Sequence, residues 1–254
     1  MTYKSWTYRA CCAIALLFGP QTATAETALV AVATNFAEVV EILKSDFEAD
    51  HDHKLTIVTG STGKLYAQIV NGAPFDLFLA ADQSRPELLI TGGYAQPNSR
   101  FTYATGRLVL WSANNTLIGD NGVDALSTSF RHLAIANPQL APYGVAAIEA
   151  LSALGKLDMV QSRIVMGENI GQTHALIASG NAELGIVALA YVISPRNSVA
   201  GNYWQIPSEL YSPIHQDAVL VSRAKDNAAA LSFMVYLQSD AAKEIIRSHG
   251  YVVE

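Results

Sequence analysis

The chain repeats one local pattern: a short apolar segment, then small or hydroxyl-bearing residues, then an amphipathic helix. In the first copy, residues 29–32 are predicted to form a buried strand, and residues 36–48 place apolar side chains at helical spacing. A strand at 54–58, a helix at 62–71 and a strand at 75–80 follow. This β-α-β-α-β order predicts a parallel sheet with helices on both faces, because parallel neighbours need crossover connections.

The pattern restarts after a strongly apolar strand at 107–112, and no Gly/Ser linker separates the two blocks. Later strands are predicted at 133–136, 164–166, 184–189 and 218–221, and later helices at 145–154, 172–179, 228–238 and 241–249. Two such blocks predict the α/β class with two lobes, each a mostly parallel sheet flanked by helices.

The two lobes are predicted to be joined by strands near 107–111 and 215–219. Lobe 1 would then contain residues 26–107 plus 217–254, and lobe 2 would contain residues 108–216. Ligands of open α/β sheets bind beyond the carboxyl ends of the strands. The sequence therefore predicts a ligand in the cleft between the lobes.

The first 25 residues have the three parts of a secretory signal peptide in the right order. Lys4 and Arg9 give a basic start, residues 10–19 form an apolar run, and Ala-Thr-Ala at 23–25 fits a cleavage site. The run is too short to span a bilayer. We therefore expect a periplasmic mature chain that begins at Glu26.

Charge and cysteine content narrow the classes of partner. Removing Lys4 and Arg9 lowers the Lys+Arg count from 16 to 14 against 22 acidic residues, so the formal net charge changes from -6 to -8. An acidic chain without a basic run argues against nucleic acid and anionic membranes as partners. Both cysteines, Cys11 and Cys12, lie in the signal segment, so no cysteine metal site or disulfide is expected in the mature chain.

Four strand-to-helix junctions carry the candidate ligand-binding residues. They are Thr34 and Asn35, Ser61 and Thr62, Tyr143 within 142–144, and Ile170 within 169–171. The start of a helix leaves backbone N–H groups unpaired and carries partial positive charge, so it binds an anion without a charged side chain. Each junction also has an ordinary explanation, as a helix cap, a surface turn or a core residue. Convergence of the four would make an oxyanion site.

Other kinds of site receive little support. Residues 61–64 resemble a phosphate-binding P-loop only in part, because Val58 stands where a glycine is needed and Leu65 where a hydroxyl is needed. The His-Asp-His stretch at 51–53 lies in a polar turn without a further metal ligand, and no catalytic triad motif is present. One enzymatic alternative stays open, a phosphate-ester hydrolase with Ser61 or Thr62 as nucleophile.

At these four junctions the sequence resembles the periplasmic molybdate-binding proteins of ABC importers, and the resemblance extends along essentially the whole mature chain. The most specific stretches are Gly-Ala-Pro-Phe-Asp-Leu-Phe at 72–78 and Ala-Ala-Asp at 80–82. The resemblance implies a two-lobed periplasmic-binding-protein fold of type II that closes on one tetrahedral oxyanion. The family's anion-contacting positions map onto Thr34, Asn35, Thr62, Tyr143 and Ile170.

The resemblance also implies what the protein binds. Molybdate or tungstate is the expected ligand, and an ABC permease is the expected partner. The protein is expected to be a monomeric receptor without enzymatic activity. Neither a cofactor nor a bare metal ion is expected. Ala188 stands where one branch of the family has a contacting tyrosine, so Thr34 and Asn35 are candidates to replace that hydroxyl. A receptor for another tetrahedral oxyanion such as sulfate is the alternative within the same class.

Overall fold

A computed structural model of the chain describes residues 25–253. The predicted signal peptide lies outside the described residues, apart from Ala25 at its expected end. Within 25–253, no helix is both long and apolar enough to cross a membrane.

The first of two sheets contains five strands, β1 (Thr27–Ala33), β2 (Lys54–Gly60), β3 (Leu77–Leu79), β4 (Phe101–Gly106) and β10 (Ile214–Leu220). Their order across the sheet is β2-β1-β3-β10-β4. The first three are parallel, and β10 runs antiparallel between β3 and β4. The neighbouring helices are α1 (Ala37–Asp50), α2 (Thr62–Val70), α3 (Ser84–Thr91), α8 (Ala228–Tyr236) and α9 (Asp240–Ser248). Separate apolar clusters contain alternate β1 residues, as a sheet covered on both faces requires.

The second sheet also has five strands, β5 (Leu108–Ser112), β6 (Leu133–Ala136), β7 (Ile164–Gly167), β8 (Leu184–Ala188) and β9 (Asn202–Gln205). Their order across the sheet is β7-β6-β8-β5-β9. Strand β6 is parallel to β7 and β8, whereas β5 is antiparallel to β8 and β9. The helices of this part are α4 (Pro142–Ala153), α5 (Leu157–Val160), α6 (Ile170–Ala178) and α7 (Leu189–Ile193). The predicted fold class, α/β with two mostly parallel sheets, is confirmed.

Local sequence explains where the helices near the cleft begin and end. Helix α1 buries Val39, Val40 and Leu43 on one face, as its spacing predicts. Gly72 after α2 and Gly180 after α6 have φ values of 85° and 75°, a conformation that glycine adopts without a steric penalty. These two glycines therefore end the helices and turn the chain back towards the next strand.

The chain passes between the sheets at Arg107 and again along 206–213. The second passage was predicted near 215–219, which is a few residues too late because those residues already belong to β10. Residues 214–216, assigned from the sequence to lobe 2, pair with β4 of the first sheet. A register shift between Gln216 and Asp217 lets β10 continue this pairing as far as Ala218. The complete lobe boundaries stay a prediction.

Candidate functional site

The four predicted junctions line one small cavity between the two sheets. Its walls come from residues 33–35, 60–62, 141–143 and 169–170, together with Ala81, and leave about 10 Å³ of free space between them. Pockets for drug-sized molecules typically have about 300–1,000 Å³, so this cavity admits at most a small ion. All six candidate residues, Thr34, Asn35, Ser61, Thr62, Tyr143 and Ile170, are brought together here. Their roles as ligand contacts stay predictions.

Ser61 and Thr62 lie where β2 passes into α2. Ser61 is the residue before the helix and is 2% exposed, yet its hydroxyl makes no capping bond and has no hydrogen-bond partner among residues 25–253. The Thr62 Oγ1 accepts a hydrogen bond from the backbone N–H of Ala81 at 3.2 Å. Accepting this bond leaves the Thr62 hydroxyl hydrogen available to an acceptor in the cavity. The junction therefore presents two hydroxyl donors.

Thr34 and Asn35 form a 3₁₀ turn, Thr34–Phe36, directly after β1. The Thr34 hydroxyl donates to the backbone carbonyl of Gly60 at 2.9 Å, and the Asn35 amide Nδ2 donates to Gln216 Oε1 at 2.8 Å. Both side chains are thus engaged within the protein, which argues against either replacing the tyrosine hydroxyl that Ala188 lacks. This junction contributes backbone N–H groups at the start of a helical turn, where intrahelical partners are absent.

Tyr143 reaches the cavity from the second sheet, at the second residue of α4. The helix begins with Pro142, which suits a first helical turn because the ring presets φ and the missing N–H has no helical partner there. The Tyr143 hydroxyl accepts a hydrogen bond from Gln216 Nε2 at 3.2 Å. Burial raises the pKa of Tyr143 well above its usual value, so the phenol keeps its proton at neutral pH.

Ile170 is the first residue of α6, and its side chain packs in the core of the second sheet. The core explanation therefore holds for the side chain. Its backbone N–H belongs to the first turn, where helical partners are absent. The preceding residue, Asn169, caps the helix conventionally, because its side chain accepts from the Gln172 N–H at 3.0 Å. The junction thus offers the cavity an amide and no side-chain donor.

Direct contacts hold the two sheets together around the cavity. The Gly63 N–H donates to the Leu140 carbonyl at 2.9 Å, and the Tyr191 hydroxyl donates to the Thr34 carbonyl at 2.8 Å. The Lys64 ammonium pairs with Glu168 at 2.8 Å, so its charge is balanced at the rim. The structure therefore has a closed cleft in which donors from both sheets face the same space.

The chemistry of the cavity is that of neutral donors. Tyr143 is the one side chain in its lining that titrates, and neither a carboxylate nor an imidazole is present to act as a general base. No group of three or more His, Cys, Asp or Glu residues suitable for a metal ion occurs within 25–253. Such a lining stabilises an oxyanion by hydrogen bonds and helix dipoles.

A larger groove lies beside the cavity and shares Ala81 and Pro142 with it. It has about 290 Å³ of free space, and charges of both signs line it, including Arg85 and Glu149. The mixed charges give no basis for selecting an anion. We therefore place the candidate site in the smaller cavity, to which the groove is adjacent.

The sequence did not indicate the polar residues behind the cavity wall. Gln216 and Tyr191 contact the junctions directly, but Gln216 lies within β10, and Tyr191 lies in α7, whose start is hidden in the apolar run that continues from β8. Gln216 is a fully buried amide within β10, where it stands between His215 and Asp217 and is followed by the apolar residues 218–220. A polar residue in an otherwise buried strand was the available signal, but its partners are known only from the fold.

The chain is similar in sequence and structure to proteins of known name. Residues 28–252 match the family described as bacterial extracellular solute-binding protein. The chain is 46% identical over 222 residues to the molybdate-binding protein ModA of Azotobacter vinelandii, covering 87% of this chain and 88% of that protein. It is 43% identical over 243 residues to the molybdate-binding protein ModA of Rhodobacter capsulatus, covering 95% of each.

A solved structure extends this similarity to the backbone. The Azotobacter vinelandii periplasmic molybdate-binding protein matches with a TM-score of 0.85 and 44% sequence identity, covering 89% of this chain and 99% of that chain. A match of this extent includes both sheets and the cavity between them.

Proposed function

Because the chain belongs to the bacterial extracellular solute-binding protein family, we propose that it captures molybdate in the periplasm and delivers it to an ABC permease. The resemblance of the chain to periplasmic molybdate-binding proteins is confirmed by the two ModA relatives and by the structural match. Tungstate is a second ligand of the same class, and the receptor acts as a monomer. The function is binding and transfer without catalysis.

The observation that carries this proposal is the free hydroxyl of Ser61. A buried hydroxyl without a protein partner costs free energy unless a ligand satisfies it. It lies at the start of α2, where backbone N–H groups also need acceptors. An oxyanion supplies acceptors to both at once, and charged acceptors make stronger hydrogen bonds than neutral ones.

A lining made of donors also selects among oxyanions. Molybdate, tungstate and sulfate are fully deprotonated dianions at neutral pH, whereas phosphate carries at least one proton. A phosphate O–H would meet no carboxylate or imidazole in this lining, so it could donate only to a weaker neutral acceptor such as the Ser61 Oγ, which would then be less able to serve the anion as a donor. Selection against sulfate depends on size, because charge and tetrahedral shape are shared.

Calorimetric titration of the mature protein with molybdate, tungstate, sulfate and phosphate tests the proposal. Molybdate and tungstate should bind much more tightly than sulfate, and phosphate should bind most weakly. The melting temperature should rise with molybdate, since a ligand of the folded state stabilises it by mass action. Sulfate affinity equal to or above that of molybdate would assign the protein to another oxyanion.

The hydrolase alternative shares the Ser61 hydroxyl but needs a general base beside it. The cavity lining contains no carboxylate or imidazole to activate a serine or threonine. Incubation with a chromogenic phosphate ester should therefore release no product above the buffer rate, and the matched control is the Ser61→Ala variant.

A further inference from the structure

Behind Tyr143, five polar side chains form a buried hydrogen-bond network centred on Gln216. Gln216 Oε1 accepts from Asn35 Nδ2 at 2.8 Å and from the Tyr103 hydroxyl at 3.1 Å. Gln216 Nε2 donates to the Tyr143 hydroxyl at 3.2 Å. Tyr251 joins the network through Asn35. Gln216 is fully buried, so none of these bonds exchanges with solvent in the closed cleft.

The direction of each bond in this network follows from one backbone carbonyl. The Asn35 carbonyl can only accept, so the Tyr251 hydroxyl, 2.7 Å away, must donate to it. The Tyr251 oxygen then accepts from Asn35 Nδ2 at 3.2 Å, which fixes that side-chain amide with its NH₂ group towards Gln216. The facing atom of Gln216 must be its Oε1. Its Nε2 therefore faces Tyr143 and donates.

We propose that Gln216 is a positioning residue that fixes the Tyr143 hydroxyl as a hydrogen-bond donor to the bound oxyanion, and thereby favours anions without a proton. This inference rests on the proposed function and names one determinant of its selectivity. Gln216 does not itself line the cavity; it hydrogen-bonds to Asn35 and Tyr143, which do, and it acts on the bound anion through Tyr143.

The physical reason is the limited capacity of a phenol hydroxyl. It has one hydrogen to donate, and its oxygen accepts from Gln216, so the hydrogen must find another acceptor. The neighbouring Tyr251 oxygen is a neutral competitor, and a charged oxyanion is the stronger acceptor. Without the Gln216 donor, the Tyr143 hydroxyl is free to rotate and accept a hydrogen bond from a protonated anion.

Close packing also holds Tyr143 against this network. A Cβ atom at Gly106 would lie 2.1 Å from the Tyr143 hydroxyl oxygen and 2.9 Å from Gln216 Nε2. Only glycine leaves room for this approach between β4 and α4. The hydroxyl of Tyr143 is thus confined near Gln216 whenever the two sheets are closed.

A double-mutant cycle on molybdate affinity tests the inference. Tyr143→Phe removes the donor and should weaken binding on the order of tenfold or more, the range for a hydrogen bond to a charged group. Gln216→Met removes the positioning bond at similar length and should weaken binding roughly three- to tenfold, because a freed hydroxyl still donates part of the time. The double variant should bind like Tyr143→Phe alone, because the two act as one unit.

A selectivity measurement separates positioning from general packing. The ratio of sulfate affinity to phosphate affinity should fall in Gln216→Met, since the freed Tyr143 hydroxyl can accept from the phosphate proton. Tyr103→Phe is the matched control, because it removes another hydroxyl from Gln216 while Asn35 still holds the Oε1 side of the amide. This control should keep the parent ratio and change molybdate affinity by less than about threefold.

Circular dichroism and a thermal melt establish that each variant folds. If Gln216→Met does not fold, Gln216→Glu takes its place: the introduced carboxylate accepts the Tyr143 proton, so molybdate affinity should fall below that of Tyr143→Phe. Additive losses in the cycle, or an unchanged sulfate-to-phosphate ratio, would overturn the inference while molybdate binding by the parent protein stands. A parent protein that binds no molybdate would overturn the proposed function together with it.

Discussion

Helices α2 and α6 both begin at the cavity, but they satisfy their first turns differently. Asn169 caps α6 with its side chain, which accepts from the Gln172 N–H. Ser61 occupies the same position before α2, and serine is an equally good capping residue, yet its hydroxyl makes no capping bond. One helix start is completed by the protein, whereas the other leaves a buried hydroxyl unpaired.

This difference separates what each sheet contributes to binding. The first sheet supplies hydroxyl donors at Ser61 and Thr62. In the free protein their unpaired hydroxyl hydrogens cost free energy, and an anion that accepts from them offsets this cost. The second sheet supplies the Ile170 amide from a helix that is stable without a ligand. We therefore expect substitutions at the start of α2 to change affinity, and those at the start of α6 to change chiefly stability.

The largest effect should come from Thr62→Val, which keeps the side-chain shape and removes the hydroxyl. Affinity for molybdate should fall on the order of ten- to a hundredfold, because a donor to a charged group is lost. The free energy of unfolding should also fall by about 1–3 kcal/mol, since the Ala81 N–H loses its acceptor. Titration calorimetry and urea unfolding measure the two quantities. Parent-like affinity would mean that the hydroxyl serves only Ala81.

Ser61→Ala should weaken molybdate binding by a similar mechanism, on the order of tenfold, but without the loss of stability. The Ser61 hydroxyl has no partner in the free protein, so its removal costs no hydrogen bond there. Urea unfolding without ligand should give a free energy equal to or above that of the parent. A clear loss of stability together with unchanged affinity would show that Ser61 caps α2, just as Asn169 caps α6.

Asn169→Ala tests the other side of the comparison. Loss of the cap should lower the free energy of unfolding by about 1 kcal/mol, with molybdate affinity within about threefold of the parent. Urea unfolding and titration on the same preparation provide both values. If affinity falls as far as in Ser61→Ala, the Asn169 side chain has a role in binding that its capping bond does not explain.

The smallest effect should come from Ile170→Val, which keeps the backbone N–H and removes one methylene from the core. Molybdate affinity should stay within about twofold, although stability should fall by about 1 kcal/mol. Ile170→Pro is the contrasting variant, because it removes the N–H at a position where proline is often tolerated and Asn169 already has an extended ψ of 174°. Equal affinities in two folded variants would show that this amide does not contact the ligand.

Several elements escaped prediction for identifiable reasons. Helix α7 (Leu189–Ile193) continues the apolar run of β8, so the predicted strand extended one residue too far. Strand β9 (Asn202–Gln205) is short and half exposed at an edge of its sheet, where the alternation of apolar residues is weak. Strand β4 is rich in Thr and Tyr, and its partner β10 is distant in sequence. Edge strands such as these depend on pairing more than on their own composition.

By itself, the sequence determined the strand-to-helix order, the α/β class and the four junctions, since hydrophobic period, caps and glycine stops are local properties. It also placed every candidate residue that lines the cavity, with support from a family resemblance. Only the tertiary structure decided which donors are free. The hydroxyls of Thr34 and Ser61 look alike in the sequence, but one meets the Gly60 carbonyl and the other meets no partner. That distinction depends on how β1 and β2 pair in the folded sheet, and the placement of Gln216 behind Tyr143 depends on a contact between residues 73 positions apart.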